Sequence, residues 1–209
     1  LPNYLSRNGV DVVWRTSNWG TPPIHVEKQF SNKALAKIYP EADSRYDGIL
    51  FHDLKHQILS SDKDKVLILI HTCTSHGPEY YSNSPEEFEH FLPECRSVEV
   101  QNADHAELIN AYDNTIVYTD YLVHSVIETL PEIPDRRLCV IFISDHGETL
   151  GDYRHVGKRT MLSCANRIPF ILRVPGAEGG ERSDPVSLVD VAPTLPSLFG
   201  IDYDPAEFD

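Results

Sequence analysis

Two short stretches carry side chains able to do chemistry on a charged substrate. The first is Asp145-His146-Gly147-Glu148, which follows an apolar run over residues 138–143. Adjacent Asp and His offer a hard oxygen and an imidazole nitrogen to one ion, a ligand pair that zinc and manganese both accept. Gly147 lets the backbone turn and approach a ligand closely. The second stretch is Ser75-His76-Gly77-Pro78-Glu79, which closes the loop after a second apolar run over residues 66–70. A lone Asp-His pair also suits a capped turn with a surface histidine, and His76 or His155 taken singly suits a solvated loop.

Both apolar runs are rich in β-branched residues and read as strands buried on both faces, as in a parallel sheet. Ligands in open α/β sheets bind just beyond the carboxyl ends of strands, where both stretches lie. Between the runs, residues 103–130 read as one long helix. Leu108, Ile109, Ile116, Val123, Ile127 and Leu130 form its apolar face, and Pro131 and Pro134 end it. Such a helix serves as a crossover between two strands of a doubly wound sheet. The remaining elements are shorter. A helix tail over residues 1–8 precedes a strand over 9–15, and residues 49–58 have helical periodicity. Ser84 and Pro85 mark a helix start. Residues 168–174 form another strand, and residues 187–195 a short helix whose continuation closes at Gly200. Neither an internal repeat nor a second domain is visible, so residues 1–209 are expected to belong to one α/β domain.

Composition narrows the function. The 209 residues are 41% hydrophobic and 24% charged, as in an ordinary globular protein. The net charge of -14 argues against a nucleic-acid partner, although bound metal can reverse the local field for an anionic substrate. Nothing approaches eighteen consecutive apolar residues, so the chain is expected to be soluble. Cys73, Cys95, Cys139 and Cys164 form no CxxC pair, which speaks against a cysteine zinc site. Cys139 falls in the buried strand and reads as a packing residue.

Four segments in order resemble the alkaline phosphatase/sulfatase superfamily. They are Ser75-His76-Gly77-Pro78-Glu79-Tyr80-Tyr81, Asn110-Ala111-Tyr112-Asp113-Asn114-Thr115-Ile116-Val117-Tyr118-Thr119-Asp120, Ser144-Asp145-His146-Gly147-Glu148-Thr149-Leu150-Gly151, and Ser187-Leu188-Val189-Asp190-Val191-Ala192-Pro193-Thr194-Leu195. The first two are most similar to the bacterial phosphoethanolamine transferases. The resemblance implies a three-layer sandwich with a mostly parallel central sheet. It implies Asp145 and His146 as metal ligands. It also implies His76 and His155 as the histidines that contact the transferred phosphoryl group or a second metal, and so as catalytic and substrate-binding residues. Zn2+ or Mn2+ would be the cofactor. The donor would be phosphatidylethanolamine, and the acceptor an envelope lipid or glycan such as lipid A. The parent enzyme would sit in the bacterial inner membrane with its catalytic domain in the periplasm.

The chain departs from the family pattern in three ways. The loop after Gly151 is shorter than usual, and Cys95 has no cysteine further on to pair with. The strand ending in a Gly-Glu metal ligand, and the threonine nucleophile after it, have no counterpart. Gly147-Glu148 belongs to a later motif, Gly180-Glu181 to a Gly-rich loop, and Thr21 follows the wrong strand. The expectation is therefore the C-terminal part of the catalytic domain, without its nucleophile and inactive alone. Two ligands, Asp145 and His146, fall short of the three that protein supplies in a catalytic zinc site, so metal binding is expected to be weak. The alternatives are a sulfatase or phosphodiesterase that passes the group to water, and a binding module that keeps the fold without the chemistry. Asn110, Tyr112, Asp113, Asn114 and Asp120 suit bracing of loops as well as direct catalysis, and His71 suits a strand end.

Overall fold

The structure is a computed structural model that describes residues 1–18, 24–151, 156–158, 161–204 and 206. Its centre is β1 (Asp11–Thr16), the strand anticipated at residues 9–15. Five of its six residues are buried, because parallel strands flank it on both edges. On one edge lies β2 (Lys28–Ser31), with Val13 opposite Lys28; on the other lies β3 (Val66–His71), with Asp11 opposite Val66 and Thr16 opposite His71. β2 has one apolar residue in four, so periodicity gave no hint of it.

Side chains alternate across this sheet as strand geometry requires. Val12, Leu67 and Leu69 face a cluster with Tyr4 and Leu5 of α1 (Pro2–Arg7) and Leu195 of α6 (Val191–Leu198). Phe30 and Ile70 face a second cluster with Leu35 of α2 (Asn32–Ile38) and with Ile49 and Leu50 of a 3₁₀ turn (Asp47–Phe51). Helices thus cover both faces, the layering the resemblance implied. Arg15 also points to the second side and is fully buried. Its guanidinium donates to Leu50 O at 3.0 Å, His52 O at 2.6 Å and Gln57 Oε1 at 3.2 Å, which fastens the turn and α3 (Leu54–Leu59) to the sheet.

The apolar run before Asp145 forms β4 (Val140–Ile143), which departs from expectation. It pairs antiparallel with β7 (Phe170–Arg173), and no ladder joins it to β3 among the described residues. Both β3 and β4 are half-buried rather than buried on both faces, and all four β7 residues are exposed. Strands hydrogen-bonded along one edge keep the other open, which explains the partial burial. Ile141 of β4 still packs with Leu67 and Leu69 in the first cluster, so the two strands share one core. Cys139, expected inside, is exposed just before β4.

α4 (His105–Thr129) is the long helix, begun by Asp104, whose carboxylate accepts from the Ala106 and Glu107 amides. Its buried stripe is Leu108, Ala111, Asn114, Thr115, Tyr118 and Leu122. Ile116, assigned to the apolar face from sequence, is 41% exposed. The buried stripe mixes polar with apolar residues, so hydrophobicity alone misplaced the face. The helix start expected at Ser84 is a single 3₁₀ turn, Glu86–Phe88, preceded by Pro85. The short C-terminal helix is split between a 3₁₀ turn (Leu188–Asp190) and α6, after which Gly200 adopts a positive φ of 62° as its C-terminal position requires. No described helix is long and apolar enough to cross a membrane.

Candidate functional site

His76 sits in the loop after β3, and that loop is held from three directions. Asp47, itself buried, accepts from the Cys73 and Thr74 amides at 2.7 Å each and from Thr74 Oγ1 at 2.5 Å. It also accepts from Ser17 Oγ, so one carboxylate joins the ends of β1 and β3 to the 47–51 turn. Thr115 of α4 donates to Ser75 Oγ at 2.9 Å. Asn83 donates to the His76 carbonyl at 2.9 Å. Below the loop, buried Tyr80 packs edge-on to Tyr112 of α4 at 5.7 Å. Gly77 is required here, since a Cβ would run into the Tyr80 ring.

The imidazole of His76 is oriented through both nitrogens. Nδ1 lies 2.7 Å from Gly77 O and Nε2 lies 2.9 Å from Lys158 Nζ. A carbonyl can only accept and an ammonium can only donate, so this network assigns the proton to Nδ1 and the lone pair to Nε2.

Asp145 and His146 follow β4. His146 Nδ1 lies 2.7 Å from Gly147 O, and since a carbonyl can only accept, Nδ1 carries a proton and Nε2 is the other ring nitrogen. That nitrogen stands 3.5 Å from Asp145 Oδ1, and the Asp145 side chain is largely exposed. A histidine that donates one N–H to a carbonyl and presents the other nitrogen beside a carboxylate matches half of a divalent-ion site. No group of three metal-ligating side chains occurs among the described residues. The turn depends on Gly147, whose amide donates to Ala165 O at 2.7 Å. A Cβ there would collide with the Cys164 carbonyl at α5 (Ser163–Asn166).

Two further residues, Glu148 and Lys158, stand beside His76. β5 (Thr149–Leu150) and β6 (Val156–Gly157) pair antiparallel, with Thr149 opposite Gly157. Continued by one residue, this register sets Glu148 opposite Lys158. Burial raises the Glu148 carboxyl above the ordinary range; His146, Lys158 and His76 pull it down, and Asp145 pushes it up. His76, Tyr80, Glu148 and Lys158 line a cavity of about 220 Å³ between the loops. Burial also raises the Tyr80 and Tyr112 phenols, followed by the Glu148 charge, so both stay neutral. Glu148 lies within the Asp145–Glu148 stretch, but its proximity to Lys158 left no trace in the sequence, because it comes from a pairing of two-residue strands.

The structure places His76 in the loop after β3 and Asp145 and His146 in the turn after β4, and of these three His76 lines the cavity with Glu148 and Lys158. His155 and Thr21 lie outside the described residues. His71 is set apart at the strand end: Nδ1 is 3.1 Å from Thr16 Oγ1, and its ring is 5.6 Å from that of Trp14. The polar residues of α4 hold loops. Asn114 donates to Phe91 O and Glu94 Oε2 and accepts from the Phe91 amide, and Asn110 donates to Pro93 O. Cys95 is buried with a free thiol.

Comparison with known proteins gives this site a family. The family model described as Sulfatase matches residues 1–201. The phosphoethanolamine transferase EptA of Helicobacter pylori is 36% identical over 178 residues, which covers 82% of this chain and 34% of that protein. EptA of Escherichia coli K12 is 35% identical over 151 residues, 71% of this chain and 27% of that protein. Among solved structures, the C-terminal periplasmic domain of EptC from Campylobacter jejuni superposes with a TM-score of 0.69 at 30% identity, covering 82% of this chain and 55% of that domain. Integral-membrane EptA of Neisseria meningitidis gives a TM-score of 0.71 at 30% identity, covering 82% of this chain and 33% of that one. The chain spans about a third of the length of the curated relatives it matches. With a family model matching nearly its whole length, the chain belongs to the sulfatase family.

Proposed function

We propose that residues 1–209 are the part of a sulfatase-like catalytic domain that handles the phosphoryl group in a phosphoethanolamine transferase. The observation that carries this reading is the cavity lined by His76, Glu148 and Lys158, with Asp145 and His146 in the turn that leads from β4 to Glu148. It lies beyond the ends of β3 and β4, in a chain whose relatives at 34–36% identity are named phosphoethanolamine transferases. The donor is a lipid with an ethanolamine headgroup, and the acceptor a lipid A-type envelope molecule. The parent protein works at the inner membrane with this domain in the periplasm.

Each residue's role follows from its surroundings. Lys158 brings a full positive charge beside His76 Nε2, where two phosphoryl oxygens can replace the lysine–histidine contact. His76, fixed through Nδ1, can then donate from Nε2 once protonated, either to a phosphoryl oxygen or to the departing oxygen. His155 is assigned a similar role from the family pattern. Glu148, raised by burial, is most stable with a cation beside it, and the ethanolammonium end of the donor can serve. Asp145 and His146 are suited to hold a divalent ion, zinc or manganese, which when bound would supply charge neutralisation at the transferring group. No attacking oxygen is assigned to any residue of this chain.

The test is expression of the whole parent gene, of which this chain is the product of one part, in cells whose lipid A carries no phosphoethanolamine. Mass spectrometry should find lipid A heavier by one phosphoethanolamine, with the modification lost in His76→Ala and Asp145→Asn. Free phosphoethanolamine released with lipid A unmodified would favour the hydrolytic reading instead, and neither product would favour a non-catalytic module.

A further inference from the structure

A larger cavity, of about 420 Å³, lies between the 47–51 turn, the 85–88 turn and α4, and shares no lining residue with the site above. Four aromatic residues, Phe51, Phe88, Tyr118 and Tyr121, form part of its wall, beside Leu122, Pro85 and Ser125. Phe88 stands 4.7 Å from Tyr118 and 5.0 Å from Tyr121, and the two tyrosine rings are near-parallel at 6.4 Å. Asp53 and Glu87 add two carboxylates; among the described residues no lysine or arginine lines the space, and His52, which does, turns its Nε2 to Glu41 Oε1 at 3.1 Å. The nearby cations are engaged elsewhere: Lys55 pairs with Glu132 at 3.0 Å, and Arg45 with Asp43 at 2.7 Å. Arg45 also rests its guanidinium 5.2 Å over the face of Tyr46, which meets Tyr118 edge-on. This aromatic group therefore already receives one cation on its flank.

Ring faces are electronegative and attract ammonium and guanidinium groups, most strongly where water is partly excluded. Carboxylates at the mouth add a charge that a neutral ligand cannot use. We propose that this cavity is a binding site for a small organic ammonium ion, distinct from the place where phosphoryl transfer occurs. The ion is a primary or quaternary ammonium, free or carried on a lipid headgroup. Occupancy bears on the other site through one turn: Gly48 donates to Tyr118 Oη at 3.0 Å in the cavity wall, and Asp47 beside it holds the His76 loop.

The experiment is NMR titration of the 209-residue chain with choline, ethanolamine, dihexanoylphosphatidylethanolamine and 3,3-dimethylbutan-1-ol, the neutral isostere of choline. Both amines should give saturable shifts at Gly48, Phe88 and Tyr121, and the neutral alcohol should bind at least tenfold more weakly. Glu87→Gln and Tyr121→Leu, both at exposed side chains, should each weaken choline binding at least threefold while leaving the spectrum dispersed. Equal binding of the alcohol, absence of saturation, or unchanged affinity in both variants overturns the proposal. Tighter binding of the short-chain lipid than of ethanolamine identifies a headgroup as the ligand; equal binding identifies a free amine. The readout needs no turnover, so its failure leaves the transferase reading standing, and the converse.

Discussion

Asp11 opens the central strand with a carboxylate only 7% exposed, beside Lys28 Nζ at 2.6 Å and Ser61 Oγ at 2.7 Å. Burial raises its pKa, but the bonds from Lys28 and Ser61 and the charges of Lys28 and Lys63 outweigh it, so the folded value lies below the ordinary one. A depressed acid stabilises the fold above its unfolded pKa of about 4, and that stabilisation is lost as pH falls through the lower folded value. Asp11→Asn should thus lower the urea midpoint at pH 7, and the gap from the parent chain should narrow below about pH 4. A gap independent of pH would mean that the residue acts through shape alone. None of this pairing was readable in advance, since Asp11, Lys28 and Ser61 meet only once the sheet and its preceding turn have formed. The placement of His76, Asp145 and His146 in loops was readable, because each follows an apolar run that forms a strand. Asp47 was not, because nothing within ten residues of it marks it as the anchor of the His76 loop.

Elements of strong periodicity emerged as expected, and their partners did not. The runs at 66–71 and 140–143 are strands and 105–129 is a helix, since each has enough apolar residues in phase to set its own type. Pairing depends on the edges of other strands, which sequence does not display; hence β4 was placed in a parallel ladder and lies against β7 antiparallel. The turn after β4 shows how one element positions another. Gly147 approaches α5 so closely that a methyl group must displace the Cys164 carbonyl. Gly147→Ala should cost about 2–3 kcal/mol in chemical denaturation, as for other overpacked sites. A loss under about 0.5 kcal/mol would mean that α5 shifts freely and does not fix the Asp145–His146 turn.

At the scale of the whole molecule, the sheet and its two helical layers form one packed body around β1, and both candidate sites hang on the same 47–51 turn. The feature with the widest consequence is the open side of β3. In a parallel strand, the backbone groups of alternate residues point to opposite neighbours. β1 takes one set; among the described residues the other set has no strand to meet. Hydrogen–deuterium exchange on the 209-residue chain should therefore give β3 a two-beat pattern, with every second amide from Val66 to His71 slow and those between them fast. Uniform protection at high dilution would show that the edge is covered. Protection that grows with protein concentration would have a different meaning. An apolar strand that lacks a neighbour is a template for another copy of itself, so the storage concentration of this protein would be set by its backbone rather than by its charge of -14.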